Sequence, residues 1–354
     1  MTGRAGRADT VLGLAGPRAE KTISLALQGG GAHGAFTWGV LDRLIEDGRL
    51  AFEAITGASA GSMNAVVMAD GWQEGGPDGA RTQLEAFWRH VSLDGSLSDP
   101  QRQIFDRVLG FWSLPGGLEN PFLGLLRRNA VSPYLANPLD INPLRDVLER
   151  QVRFDRLRTA DVKLFVAATS VWTGKIRVFE TEELAADHVM ASACLPTLFK
   201  AVEIDGEPFW DGGYSGNPPL YPIFYAAACD DILLVQINPI ERRETPHSIA
   251  EIQNRLTEIN FNAGLLRELR VIDFVTRLID GGKLSRDEYK RVLMHRIDGD
   301  GYLDRFAASS RLNPDWSMFL ELRDLGRRAA TGWLDRHYDA IGRETTLDVK
   351  SAYS

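Results

Sequence analysis

Apolar and polar positions along this chain follow two rhythms. Ile23-Ser24-Leu25-Ala26-Leu27 is short and almost wholly apolar, the pattern of a strand buried on both faces. A glycine-rich stretch from Gln28 to Gly34 follows. Phe36, Val40, Leu41, Leu44 and Ile45 then recur at helical spacing until Gly48, which supplies a helix stop. A second apolar strand, Phe52 to Thr56, runs through Gly57 into a helix that is under way over 63–69. Two strand-turn-helix units in succession predict a parallel sheet with helices on its faces.

Farther on, 72–79 reads as a glycine-rich loop between helices, with helices at 80–91 and 100–109. Asn142-Pro143 pairs a helix N-cap residue with proline at the first helical position, and that helix runs to Val152. Strands are expected at 162–169 and 175–179 about a Thr173-Gly174 turn, and a helix at 184–192. Val202 to Trp210 reads as a hairpin about Asp205-Gly206, and 232–237 as another buried strand. Composition shifts near Pro239. Beyond it come a long amphipathic helix over 248–279, a strand at 291–297 and a helical stretch at 316–341. The expected organisation is a disordered tail over 1–21, a catalytic domain over 22–240, and a mainly helical extension over 241–354 packed on the core.

The chain has 354 residues, 44% hydrophobic and 25% charged, with a formal net charge of −8. An acidic protein with no basic stripe is a poor partner for nucleic acid. Only Cys194 and Cys229 occur, each in an apolar segment, so a disulfide framework is not expected. No stretch is long and apolar enough to span a bilayer, and 11–16 is too short for a signal-peptide core. A cytoplasmic address with peripheral membrane contact follows as an expectation.

Chemistry concentrates in three turns. Gly57-Ala58-Ser59-Ala60-Gly61 lies between a strand and a helix, the arrangement of a nucleophile elbow, which turns the Ser59 hydroxyl outward and leaves no room for side chains at Gly57 and Gly61. Gly29-x-Gly31-x-x-Gly34 matches a dinucleotide fingerprint, but that reading needs an acidic residue at the end of the second strand. Glu53 sits at its start, so no nucleotide is expected. The same turn can instead present Gly29, Gly30 and Gly31 N–H groups, helped by Ala60, to a developing alkoxide. Ser59 also needs a base. His188, His247, His295 and His337 occur late, but none sits in a glycine-rich loop after a strand. Asp211 does follow a strand and is adjoined by Gly212 and Gly213. Asp298-Gly299-Asp300-Gly301 lacks the ligand spacing of a calcium loop and reads as a turn; no zinc spacing and no cofactor motif occur.

These motifs, with Ala191-Ser192-Ala193-Cys194-Leu195-Pro196-Thr197-Leu198-Phe199 ahead of the hairpin and the Asp211 turn, resemble the patatin-like phospholipase family over roughly residues 22–240. The resemblance implies a three-layer α/β/α fold with a mostly parallel central sheet and a Ser–Asp dyad without histidine. Ser59 would be the nucleophile and Asp211 the proton acceptor, acting on a lipid or membrane-surface ester. An acyltransferase with the same dyad and a non-catalytic lipid-binding scaffold are the alternatives. One departure stands out: the family usually has Arg or Lys where this chain has His33, which reads equally as a functional group or as a locally bonded helix-start residue. The apolar segment 104–134, holding Phe111, Trp112 and Phe122, reads either as a lid that touches lipid or as plain core packing.

Overall fold

Strands β1 (Lys21–Leu27) and β2 (Leu50–Ala58) lie side by side and parallel, with Leu27 beside Gly57. Residues 13–92, 132–137, 140, 142–299, 303 and 315–353 are described by the computed structural model. Phe111, Trp112, Phe122, the helix expected at 100–109 and the Asp300-Gly301 half of the acidic turn lie outside the described residues.

Helix α1 (Gly34–Asp47) joins the first two strands and ends at Gly48, which is left-handed with φ 76°. Helix α2 (Ala60–Val91) leaves the second strand. The loop expected at 72–79 is helical instead. Only Gly75 and Gly76 leave helical geometry, and Pro77 restarts the helix because its fixed φ suits a first turn. Next come α3 (Pro143–Gln151), β3 (Lys163–Ser170), β4 (Ile176–Glu180), α4 (Ala186–Ser192), β5 (Val202–Ile204), β6 (Glu207–Asp211), α5 (Tyr221–Ala226) and β7 (Asp231–Val235). The chain closes with α6 (Ile249–Asp280), β8 (Leu293–Ile297), α7 (Trp316–His337) and α8 (Val349–Tyr353). Asn142 caps α3 by accepting the Leu144 N–H at 3.2 Å, as its sequence predicts. The β5–β6 turn places both Asp205 and Gly206 at positive φ, the geometry a two-residue hairpin requires.

The strands form one eight-stranded sheet in the order β5-β6-β3-β2-β1-β7-β8, with β4 also paired to β3. The β3-β2-β1-β7-β8 portion is parallel, and β4, β5 and β6 run antiparallel to their neighbours. Leu25, Leu27, Leu233 and Val235 point into one core with Phe36 of α1, Val66 of α2 and Phe319 of α7. Their neighbours Ala26, Ile232, Leu234 and Met294 point into a second core with Ile223 of α5 and Leu265 and Leu269 of α6. Cores on both faces of one sheet make three layers, and they explain why these strands read as unbroken apolar runs.

Pairing along β3 matters most for the site. Residues 165–167 of β3 pair with both β2 and β4, and Ala168 and Thr169 pair with both β4 and β6. Because β4 occupies one edge throughout, β2 and β6 share the other. β2 leaves that edge at the Ala58↔Ala167 pair and β6 takes it over at Asp211↔Ala168. The residue after Ala58 is Ser59, so the register sets Ser59 and Asp211 head to head.

Part of the tail expected over 1–21 is held in place. Leu14 is buried and exchanges two backbone hydrogen bonds with Phe52, each 2.9 Å, because its apolar side chain reaches the core beside the start of β2. At the other end, residues after 240 supply β8 to the sheet and helices to both faces.

Candidate active site

Ser59 sits between β2 and α2 with φ 53° and ψ −125°, a backbone conformation that costs a non-glycine residue about 1–3 kcal/mol. What holds it there is Ser192 at the end of α4. The Ser59 N–H donates to Ser192 Oγ at 2.9 Å and to its carbonyl at 3.1 Å, and the hydroxyls of Ser62 and Ser192 bond at 2.9 Å. Asn64 ties the elbow to the glycine turn, donating to the carbonyls of Ala60 (3.0 Å) and Gly34 (3.1 Å).

The motif glycines mark where loops touch. A Cβ on Gly29 would fall 2.6 Å from the Ser59 Cβ, one on Gly34 2.7 Å from the Ala60 Cβ, and one on Gly61 2.1 Å from the Leu27 carbonyl oxygen. Gly57 faces Gly61 at 2.7 Å, and Gly212 faces the Ala167 carbonyl at 2.1 Å. A Cβ on Gly213 would meet Phe261 at 2.9 Å and Asp211 Oδ1 at 3.0 Å. Gly29 and Gly34 thus let the glycine turn close on the serine elbow, Gly61 lets the elbow close on the end of β1, and Gly212 lets the Asp211 turn close on β3.

Asp211 is fully buried at the end of β6. Its Oδ1 accepts the Gly213 N–H at 2.7 Å, whereas Oδ2 has no formed hydrogen bond among the described residues. Burial pushes the carboxyl up to about 7; the Gly213 N–H and the nearby Ser59 hydroxyl pull against that shift without cancelling it. The Ser59 hydroxyl thus influences a carboxylate whose outer oxygen is still open to it. Thr169 Oγ1 donates to the Asp211 carbonyl at 2.8 Å and the Asp211 N–H donates to the Cys194 carbonyl at 2.8 Å, fixing the backbone that aims the side chain.

The glycine turn departs from expectation at one residue. Gly29 does not offer its N–H to a substrate: Asn217 Oδ1 accepts it at 2.6 Å, and Asn238 Nδ2 donates to the Gly29 carbonyl at 2.6 Å. Gln28 locks this arrangement, accepting the Ile237 and Asn238 N–H groups at 3.0 and 2.9 Å and donating to the Asn217 carbonyl and Asn262 Oδ1, each at 3.2 Å. Gly31 is left-handed with φ 59°, and the N–H groups of Gly30, Gly31 and Ala60 have no acceptor among the described residues. His33 is buried beside them at the start of α1.

The late histidines are held by partners of their own. His295 is buried between Asp231 Oδ1 (3.0 Å) and Thr346 Oγ1 (2.9 Å), and His188 accepts the Ala185 N–H at 2.9 Å and packs on Phe179. His337 packs on Trp333 and the His247 N–H donates to Glu251. Burial drives the thiols of Cys194 and Cys229 up to about 12, so both stay protonated and inert. Gln28, Asn64, Asn217, Asn238 and Asn262 carry no sequence signal that separates them from ordinary polar residues; Ser192 lay within the Ala191 to Pro196 stretch already noted. Among the described residues no group of three or more His, Cys, Asp or Glu side chains could hold a metal, and no helix is long and apolar enough to cross a membrane.

A family model described as patatin-like phospholipase matches residues 25–224, more than half of the chain. No curated protein matches it. Among solved structures, VipD from Legionella pneumophila is similar at 15% identity and a TM-score of 0.34, over 92% of this chain and 72% of that one. Full-length ExoU of the Pseudomonas aeruginosa type III secretion system, solved in complex with SpcU, is similar at 17% identity and a TM-score of 0.31. That likeness covers 91% of this chain and 60% of ExoU.

Proposed function

The chain belongs to the patatin-like phospholipase family, whose general activity is lipid ester hydrolysis, and from that premise we propose that it is a serine acyl hydrolase working through Ser59 and Asp211. Asp211 accepts the Ser59 proton as Oγ attacks the ester carbonyl. The oxyanion develops against the N–H groups of Gly30, Gly31 and Ala60, where one such donor is typically worth roughly 3–4 kcal/mol of barrier. Asp211 then gives its proton to the departing alcohol, leaving acyl-Ser59. Water enters, Asp211 takes a proton from it, and attack on the acyl group releases fatty acid and returns the proton to Ser59.

The observation that carries this reading is the buried Asp211 carboxyl with Oδ2 unbonded and its pKa at about 7. At the usual carboxylate value it would be too weak a base for a serine; near 7 it is matched to neutral pH. Ser59→Ala and Asp211→Asn are each expected to lower release of fatty acid from phospholipid vesicles by about a thousandfold, by analogy with other catalytic sets. A fluorophosphonate should label Ser59 in the wild-type chain and not in Ser59→Ala. Full activity of Asp211→Asn, or absence of labelling, would remove the proposal.

A further inference from the structure

The outer face of α6 changes character along its length. Ile249, Ile252, Leu256 and Ile259 succeed one another at steps of three and four residues, so they share one side of the helix. They are 60%, 42%, 53% and 48% exposed, while Phe261, Leu265, Leu269 and Ile272 on the opposite side are buried. Four large aliphatic side chains in one exposed row mark an interaction surface rather than ordinary solvent-facing positions. The same steps lead on through Ala263 to Arg267 and Arg270, both exposed. Arg267 has no ion pair among the described residues, and the Arg270 guanidinium rests over the Tyr353 ring at 5.5 Å. Carboxylates of the helix turn elsewhere: Glu251 to its cap, Glu258 to Arg242 and Arg255, and Glu268 to the N–H groups of Leu220 and Tyr221.

Placement ties the aliphatic row to Ser59. Phe261 stands against Gly213, two residues from Asp211, and the far end of α6 pairs Asp280 with Arg291 just ahead of β8. β8 is parallel to β7, β7 to β1, and β1 to β2, so α6 runs against all of them. Residues 249–260 therefore extend past the strand ends that carry Ser59, as about 18 Å of helix at 1.5 Å per residue.

We propose that this face of α6 docks on an anionic lipid surface. Its aliphatic row enters among the acyl chains at the end of the molecule that holds Ser59, and Arg267 and Arg270 meet lipid phosphates beside it. A second copy of the chain fits less well. In a two-fold pair the face would meet itself, and no carboxylate stands on it to receive the arginines. The choice of lipid over an acidic protein rests on the lipid-hydrolase reading.

The test is co-sedimentation of the full-length Ser59→Ala chain with vesicles of phosphatidylcholine, alone or mixed equally with phosphatidylglycerol. Binding to the mixed vesicles is expected to be about tenfold or more tighter, and to weaken as salt is added. Leu256→Glu should weaken it by about tenfold or more, since a carboxylate replaces an inserted aliphatic group. Arg267→Glu combined with Arg270→Glu should abolish the preference for the mixed vesicles. All three positions are exposed, so the variants should melt with the parent chain. No binding to either vesicle, or undiminished binding in both folded variants, overturns the proposal. So does a dimer of the parent chain that Leu256→Glu dissociates while vesicle binding is absent, which would assign the face to a second copy. The chain with Ser59 intact is then given the same vesicles. Release of fatty acid that Leu256→Glu leaves unchanged keeps the hydrolase reading and removes the docking face. Binding that depends on Leu256, without release of fatty acid from either vesicle, keeps the docking face and removes the hydrolase reading alone.

Discussion

Asp211 serves two opposed demands with one carboxyl. Its pKa in the fold, about 7, lies above the ordinary value of 3.8, so the folded chain holds the proton more tightly than the unfolded chain does. The carboxylate is consequently a burden on stability that is absent below about pH 4, grows as pH rises, and is complete above about 7, on the order of a few kcal/mol. In the proposed mechanism the same carboxylate is the form that accepts the Ser59 proton. We expect kcat/KM to fall about tenfold per pH unit below about 7, since the protonated acid is not a base. Asp211→Asn should melt higher than wild type at about pH 8, with the advantage gone near pH 4. A pH-independent difference in melting temperature would show that the Asp211 pKa is not raised in the fold.

At the scale of elements, α6 acts on the site from beyond the stretch that matches the family. Asn262 Oδ1 accepts Gln28 Nε2, Phe261 stands against Gly213 and edge-on to Tyr214, and Glu268 accepts the N–H groups of Leu220 and Tyr221 at 2.8 Å each. The helix thus braces both the Gln28 network behind Gly29 and the segment that follows Asn217. Asn262→Ala removes two hydrogen bonds, from Gln28 Nε2 and to the Pro239 carbonyl, each worth about 1 kcal/mol to the fold. Because Gln28 then loses a restraint, kcat should drop by roughly tenfold with KM little changed, the mark of misplaced oxyanion donors. An unchanged kcat would make α6 scaffolding and nothing more. The amphipathic pattern of α6 was legible over 248–279, and the structure starts the helix with a capping box in which Ser248 and Glu251 bond reciprocally to each other's backbone N–H. Its address was not legible. Which side of the sheet a helix covers depends on apolar residues far away in sequence.

For the whole molecule, the crossing of α1 and α7 joins the start of the chain to its end. A Cβ on Gly39 would fall 1.9 Å from the Arg323 carbonyl oxygen, and one on Gly326 2.1 Å from that of Phe36. Each helix therefore rests its backbone on the other at a glycine. Gly326→Val should force the helices apart and destabilise the chain by about 2–3 kcal/mol or more. Since α1 opens at the glycine turn, activity should fall along with the melting temperature. Normal stability in that variant would mean the two helices pack less closely than described.

Alternating apolar runs and helical spacings sufficed to foretell most strands and helices, and the glycine patterns singled out Ser59 and Asp211, because those signals act over a few neighbouring residues. The local surroundings of each late histidine in the sequence pointed away from a histidine base and toward Asp211. Tertiary structure decided the rest. β6 takes over the edge of β3 where β2 ends, Asn217 claims the Gly29 N–H, and Ser192 holds the elbow in its strained turn. These contacts join residues 40 to 190 positions apart, as with Gly29 and Asn217, separated by 188. A lone serine or asparagine looks the same in a sequence whether it faces solvent or locks a turn, and only packing both faces of one sheet settles which partner it meets.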